Sequence, residues 1–391
     1  MKQIKLKRAE VLSFKVAEIL PDKKGLATLM KKRKIRLYLG IDPTGGSLHL
    51  GHAIALRKLQ QFADLGHEAI LLVGTGTVLA GDPSQRDTAR TKITKKEIEK
   101  NMKSWKKQAA KLIDFSKVKL RYNGDWLLKL KLADILEIAS NISAVQLFSR
   151  EMFQRRLARG DTVWMNETLY PLLQGYDSVA MDVDLELGGT DQVFNMLIGR
   201  ELQRKMRGKE KHVLTLPMLV GLDGKTMSKT SGNTVNIKDA PKDIYGKLMT
   251  LRDSLVSQYF ELCTDISSKE VESLKKKLSP RDLKARLARE VTALYHTETK
   301  ARTAEKEFVR VFQKKQLPSR IQKAKVRSKA SRPLYKAVAE LFSVSGAEAR
   351  RVIEQGGVKI DSVVQKDPNL IFKLRSGTII QIGKRRILQI V

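Results

Sequence analysis

IRLYLGIDPTGGSLHLGH, residues 35–52, is the stretch on which the reading of the chain turns. Ile35–Ile41 is a short, nearly continuous apolar run, the pattern of a buried strand. Asp42-Pro43-Thr44-Gly45-Gly46 then turns the chain, because proline and paired glycines interrupt regular structure. Ser47 is the expected N-cap of a helix from Leu48 to Leu65, which Gly66 would end. On such a helix His49 and His52 are three residues apart, so both imidazoles share one face of its first turn. That turn also offers unpaired backbone N–H groups and the positive end of the helix dipole, a seat for phosphate. Gly51, between the histidines, keeps the surface flat enough for a nucleotide to approach the backbone. A metal pair would need a third ligand, hard to find with five His and one Cys, so no protein-held metal is expected.

Outward from this stretch, residues from about 35 to 220 alternate short apolar runs with helical patterns, the signature of a parallel sheet covered by helices. Further strands are expected at Ala69–Val73, Val118–Arg121 and Val183–Leu187. The last of these, VDLEL, points its acids to one side, which suits a strand whose carboxyl end faces a site. Ligands of open α/β sheets bind at those ends, where the HLGH helix, the Gly81-Asp82-Pro83 turn and the GGTDQ turn all fall. Gly74-Thr75-Gly76 is not a dinucleotide fingerprint, because its third glycine would fall on Leu79.

The 391 residues suffice for two or three domains. A formal charge of +33, from 75 basic against 42 acidic residues, implies a polyanionic partner, with nucleic acid the leading candidate. A single cysteine, Cys263, rules out an internal disulfide framework and fits a reducing cytoplasm. No apolar run approaches the ~18 residues of a membrane span, and the basic N-terminus lacks the apolar core of a secretory signal.

A second signature lies far downstream: Lys225-Thr226-Met227-Ser228-Lys229-Thr230-Ser231-Gly232-Asn233, following the strand-like TLPMLVGLDG. Alone, either string is weak; HLGH and MSKT in this order form a much rarer pair. Together they resemble the HIGH and KMSKS signatures of class I aminoacyl-tRNA synthetases. Tyr38-Leu-Gly-Ile-Asp42-Pro-Thr44, Tyr170-Pro-Leu-Leu-Gln174-Gly-Tyr-Asp177 and Gly188-Gly189-Thr190-Asp191-Gln192 are similar specifically to the bacterial-type tyrosine enzymes, and the resemblance covers essentially the whole chain.

The resemblance implies an α/β fold with a Rossmann-like parallel-sheet catalytic domain, then a helical domain and a small α+β RNA-binding domain. The corresponding segments are an N-terminal helical part at 1–34, a catalytic domain at 35–220, and the signature loop with an anticodon-side helical domain at 221–313. A helical insertion at about 125–170, with an apolar centre, matches the family's dimer interface; packing on the parent sheet is the alternative. Residues 314–332 carry eight Lys/Arg, no acid and Pro318, and read as a basic linker. In 333–391, Ser345-Gly-Ala-Glu348 is a capping box before a helix bearing Arg350 and Arg351, followed by alternating strand patterns. Arg350, Arg351, Lys359, Lys384, Arg385 and Arg386 are its expected RNA face.

The implied activity is tyrosine–tRNA ligation. L-tyrosine and ATP, taken as its Mg2+ complex, give tyrosyl-adenylate and pyrophosphate, and the tyrosyl group then passes to the terminal adenosine of tRNA(Tyr). Neither step needs a protein nucleophile, so catalysis rests on positioning and on stabilising developing charge. By resemblance His49, His52 and Thr44 meet the ATP phosphates, with Lys229, Arg86 and Arg90 supplying charge to pyrophosphate. Gly40, Asp42, Gly51, Gly189, Asp191, Met227, Ser228 and Lys229 would bind ATP. Tyr38 and Asp177 would recognise the phenol hydroxyl, while Asp82, Tyr170, Gln174 and Gln192 hold the rest of tyrosine. The tyrosine enzymes are themselves the standard example of a hydroxyl-binding site that rejects phenylalanine, so that discrimination comes with the family. An acid in the otherwise apolar YPLLQGYDSVAM is costly to bury without a purpose.

Two departures stand out. Thr226 and Thr230 occupy the first-lysine and last-serine positions of the second signature, and Glu186 stands near a place where the family often has an amide. The first departure predicts a slowed but real adenylate step. Alternatives are the tryptophan enzyme, a noncatalytic RNA-binding paralogue, and a nucleotidyltransferase acting on a small metabolite. The QGYD segment, the intact pocket residues and the basic C-terminal part respectively disfavour them.

Overall fold

The computed structural model describes residues 7–84, 94–227, 232–319, 321–324, 331–383 and 386–391. The chain divides into two units, Met1–Glu305 and Lys306–Val391.

The first unit is built on a six-stranded sheet of β1 (Glu18–Leu20), β2 (Arg36–Ile41), β3 (Glu68–Val73), β4 (Val118–Tyr122), β5 (Leu185–Gly189) and β6 (His212–Leu216). Its order is β1-β6-β5-β2-β3-β4, with only β1 antiparallel to its neighbour. From β2 the chain winds outward through β3 and β4, then returns to place β5 and β6 on the other side. This is a Rossmann-like arrangement whose direction reverses between β2 and β5. A crevice opens at such a reversal, beyond the carboxyl ends of the strands. The interior strands are largely buried because parallel strands are covered on both faces.

Helix α1 (Leu50–Asp64) packs on β2, β3 and β5. It begins two residues later than the sequence suggests, with His49 rather than Ser47 as N-cap. The cause is tertiary. The Leu50 N–H donates to Val235 O (3.1 Å) and the Ile237 N–H to Leu48 O (2.9 Å), which holds Leu48–Leu50 extended. Helix α2 (Lys95–Ala109) props the preceding turn from outside, with Asn101 donating to Pro43 O (2.8 Å) and Gln108 to Gly46 O (2.9 Å). Strand β5 runs two residues beyond its expected end, carrying Gly188 and Gly189 alongside Thr215 and Leu216.

The insertion forms short helices at Gly124–Leu127, α3 (Leu132–Ser140), Ala144–Phe148 and Glu151–Ala158. Next come α4 (Met165–Met181) and α5 (Val193–Arg207), which pack tightly together. Beyond β6, α6 (Pro241–Leu248), α7 (Val256–Cys263) and α8 (Pro280–Tyr295) form a helical layer, and α7 also packs on α1.

In the second unit, α9 (Leu334–Phe342) and α10 (Gly346–Glu354) share a core with a five-stranded sheet. The sheet comprises β7 (Gln322–Ala324), β8 (Val358–Ile360), β9 (Val363–Gln365), β10 (Ile379–Ile382) and β11 (Arg386–Ile390), in the order β9-β8-β10-β11-β7. Ser345 caps α10, accepting from the Glu348 N–H at 3.1 Å as the capping box predicts. Strand β7 arises inside the basic 314–332 stretch and pairs in parallel with β11. Ladder bonds use backbone alone, so polar side chains do not prevent that pairing.

Candidate active site

A cavity of about 790 Å³ opens at the carboxyl ends of β2 and β5. Its buried end is a polar chamber cut into an apolar core. Asp177, on α4, is 2% exposed. Its carboxylate accepts from Asn123 Nδ2 at 3.0 Å and Trp126 Nε1 at 2.9 Å, which leaves lone pairs for a ligand. Burial pushes this carboxyl well above the usual carboxylate range, with the two hydrogen bonds opposing. Tyr38, fully buried on β2, has its hydroxyl 3.1 Å from Ser178 Oγ. Burial, then the nearby Glu186 and Asp177, raise its pKa strongly.

Beside Tyr38 in register on β5 lies Glu186. It makes an ion pair with Lys211, itself fully buried just before β6. Lys211 also donates to Ser178 Oγ at 2.8 Å. Gln174 donates to Glu186 (3.0 Å) and accepts from Asn195 Nδ2 (3.0 Å), and Asn195 reaches Gln192 (2.9 Å). Gln192 in turn donates to Asp82 at 3.1 Å. An unbroken chain of hydrogen bonds thus links Tyr38 to Asp82.

The other end of the cavity is more open. Thr44 and Thr226 are exposed, while His49 and His52 are half-buried with ring centroids 3.8 Å apart. They do not share a helical face as the sequence suggests, because His49 precedes the helix. Its backbone N–H instead donates to His52 Nδ1 at 3.2 Å, fixing that imidazole. Met227 approaches from the second signature: a Cβ on Gly51 would lie 3.8 Å from its sulfur. Between the two ends sits Asp42, whose carboxylate accepts from Thr77 Oγ1 (2.7 Å) and Tyr170 Oη (3.1 Å). Its side chain is thus engaged across the cavity, and the turn itself closes through the Thr44 N–H to Asp42 O at 2.8 Å. Gly74 permits this, since a Cβ there would overlap the Asp42 carboxylate. Asp191 and Gly189 complete the rim, with burial raising the Asp191 pKa.

The cavity therefore gathers Tyr38, Gly40, Asp42, Thr44, His49, Gly51, His52, Asp82, Tyr170, Gln174, Asp177, Gly189, Asp191, Gln192 and Met227. Arg86, Arg90, Ser228 and Lys229 lie outside the described residues, as do Lys384 and Arg385 of the C-terminal unit. In that unit Arg351 and Lys359 are exposed. Arg350 instead stacks 3.6 Å over Tyr335 and donates to Asn369 (3.0 Å), and Arg386 donates to the Phe342 carbonyl. Sequence reasoning missed Asn123, Trp126, Ser178, Asn195 and Lys211. Only Lys211 leaves a trace, as a lysine directly before the apolar run HVLTL. Among the described residues no group of three or more His, Cys, Asp or Glu could hold a metal, and no helix is long and apolar enough to cross a membrane.

Comparison with known proteins identifies the family. The family described as class I tRNA synthetases (W and Y) matches residues 30–313. A tyrosine–tRNA ligase of Thermotoga maritima is 37% identical over 98% of this chain and 97% of its own. Tyrosine–tRNA ligase 2 of Clostridium acetobutylicum is 40% identical over 96% of both chains. Among solved structures, a C-terminally truncated mitochondrial tyrosyl-tRNA synthetase of Aspergillus nidulans superposes with a TM-score of 0.66 at 22% identity, covering 78% of this chain and 94% of that one. The tyrosyl-tRNA synthetase of Archaeoglobus fulgidus, complexed with L-tyrosine, gives 0.62 at 22%, covering 76% and 98%. These two share the fold.

Proposed function

Since the chain belongs to the class I tRNA synthetases of the tryptophan and tyrosine group, we propose how its cavity divides the work of charging tRNA with tyrosine. It is a tyrosine–tRNA ligase: the tyrosine carboxylate attacks the α-phosphate of ATP and pyrophosphate leaves, then a ribose hydroxyl of the tRNA's terminal adenosine attacks the tyrosyl carbonyl and AMP leaves.

The observation that carries the assignment of the pocket is the buried Asp177 carboxylate beside the Tyr38 hydroxyl. Asn123 and Trp126 already orient that carboxylate, and its remaining acceptor capacity suits the O–H of a phenol. Gln174, Gln192, Asp82 and Tyr170 hold the α-ammonium and carboxylate end of tyrosine. Burial of the chamber makes each of those polar contacts stronger than in water. Asp191 and Gly189 take the ribose, and Gly40 and Asp42 the adenylate. His49, His52 and Thr44 meet the phosphates of Mg–ATP, where their contacts tighten as negative charge moves to pyrophosphate. Lys229, Arg86 and Arg90 add positive charge to the same group, and Met227, Ser228 and Gly51 border it.

The charge of +33 and the exposed Arg351 and Lys359 support the C-terminal unit as a tRNA(Tyr)-binding module, which Lys384 and Arg385 extend. Leu132, Leu136, Val145, Trp164 and Met165, each more than half exposed, support the insertion as the contact of a homodimer. Action in the cytoplasm is consistent with the one cysteine being a buried thiol.

The test is pyrophosphate exchange and tRNA charging with purified protein and Mg–ATP. Tyrosine should support both and tryptophan neither. Exchange driven by tryptophan, or tRNA binding without any exchange, overturns the assignment.

A further inference from the structure

Lys211 does not line the cavity, yet it is fully buried directly behind it. Its position is constructed rather than incidental. A Cβ on Gly199 of α5 would come within 2.6 Å of Lys211 Nζ, so the bare glycine is what lets the ammonium pass beneath the α4–α5 pair. There it meets Glu186 and Ser178. Both are one contact away from residues that face the ligand: Ser178 touches the Tyr38 hydroxyl, and Glu186 accepts from Gln174.

An ammonium group only donates and an ionised carboxylate only accepts. The pair therefore fixes the sense of the hydrogen bonds around it. Gln174 must turn its NH2 toward Glu186 and its carbonyl toward Asn195. The Ser178 oxygen accepts from Lys211, so its own proton is available for another oxygen. The two charges also cancel each other, which an isolated buried charge requires.

We propose that Lys211 is a positioning residue of the tyrosine subsite: through Glu186 and Ser178 it sets the polarity and placement of Gln174 and the Tyr38 hydroxyl, and so governs tyrosine affinity without touching tyrosine. The proposal rests on the tyrosine–tRNA ligase reading above. Burial lowers the Lys211 pKa, with Glu186 and then Asp177 opposing that shift.

The experiment is a double-mutant cycle of Lys211→Met, Glu186→Gln and both together, read by pyrophosphate exchange and thermal melting. Each single change leaves one buried charge alone. It should raise KM for tyrosine about tenfold or more, and lower preference for tyrosine over phenylalanine, with KM for ATP within about twofold of wild type. The double variant has no buried charge to compensate and should bind tyrosine better than either single one, a coupling that independent sites do not give. Should Lys211→Met fail to fold, Glu186→Gln against the double variant makes the same comparison. Equal rises in KM for tyrosine and ATP, effects that merely follow the melting temperature, or a double variant no better than the singles, overturn the proposal. A wild-type protein that exchanges pyrophosphate with no tyrosine dependence would instead remove the reading beneath it.

Discussion

At the buried end of the cavity, Asp177 and Tyr38 are almost wholly enclosed and their hydrogen-bond partners are in place. At the open end, Thr44 and Thr226 are exposed and the histidines are only half-buried. The two ends solve different problems. Recognition of a small neutral ring and hydroxyl needs fixed, dry geometry, because discrimination depends on leaving polar groups unpaired when the wrong ligand enters. Holding a triphosphate that loses two of its phosphates needs cations that gain contact as charge develops. The chain also buries two lysines, and these differ too. Lys211 faces a carboxylate. Lys58, further along the helix that His49 caps, is held by the backbone carbonyls of Val11 (2.9 Å) and Phe14 (2.6 Å).

The largest predicted asymmetry concerns the histidines. His49→Ala or His52→Ala should lower kcat of pyrophosphate exchange by ~10²–10³, the scale of one lost transition-state donor, with KM for tyrosine nearly unchanged. Steady-state kinetics with each substrate varied checks this; a rise confined to KM for tyrosine would erase the division between the ends. A smaller effect is expected at Thr226, which borders the open end beside Met227. Thr226→Lys should raise the exchange rate by up to about tenfold, since one added cation near pyrophosphate contributes on the order of 1 kcal/mol. An unchanged rate means the loop charge does not limit the step.

The smallest effect separates the two lysines by pH. Burial, with Lys15 nearby, pushes the Lys58 ammonium down to about 7, whereas the unfolded chain holds that proton to about 10.5. Between those values the unfolded state binds more protons, so this group makes the protein more stable as pH rises, by at most ~1.4 kcal/mol per pH unit. Above about pH 9 the Cys263 thiol, pushed up to about 12 by burial, acts in the opposite direction. Urea unfolding between pH 7 and 9 should therefore show a shallower rise for Lys58→Met than for wild type. Equal slopes would mean that the carbonyls keep Lys58 charged.

The open end was largely legible in the sequence. Its residues lie in short contiguous strings, so a turn, a helix start and a glycine loop could be read where they occur. Even there the helix entry was misread, because pairing of Leu48–Leu50 with Val235–Ile237 is a contact between distant segments. The buried end was legible only where its residues fall in Tyr38 or the YPLLQGYD helix. Glu186 and Lys211 meet because β5 sits between β2 and β6, and strand order is not written in hydrophobic period. Asn123 and Trp126 come from the strand-end and insertion that close over α4, and nothing in their local pattern marks them. The acids of VDLEL illustrate the same limit. Asp184 pairs with Arg33 at 2.6 Å, while Glu186, two residues on, reaches Lys211 inside.

Equilibrium binding of tyrosine and phenylalanine to the ATP-free protein, wild type and Asp177→Asn, tests the prebuilt chamber most directly. Wild type should bind tyrosine saturably with no nucleotide present and phenylalanine at least about a hundredfold more weakly, and Asp177→Asn should lose most of that gap. Tyrosine binding that appears only after ATP is added, or a preference that survives Asp177→Asn intact, would contradict the account.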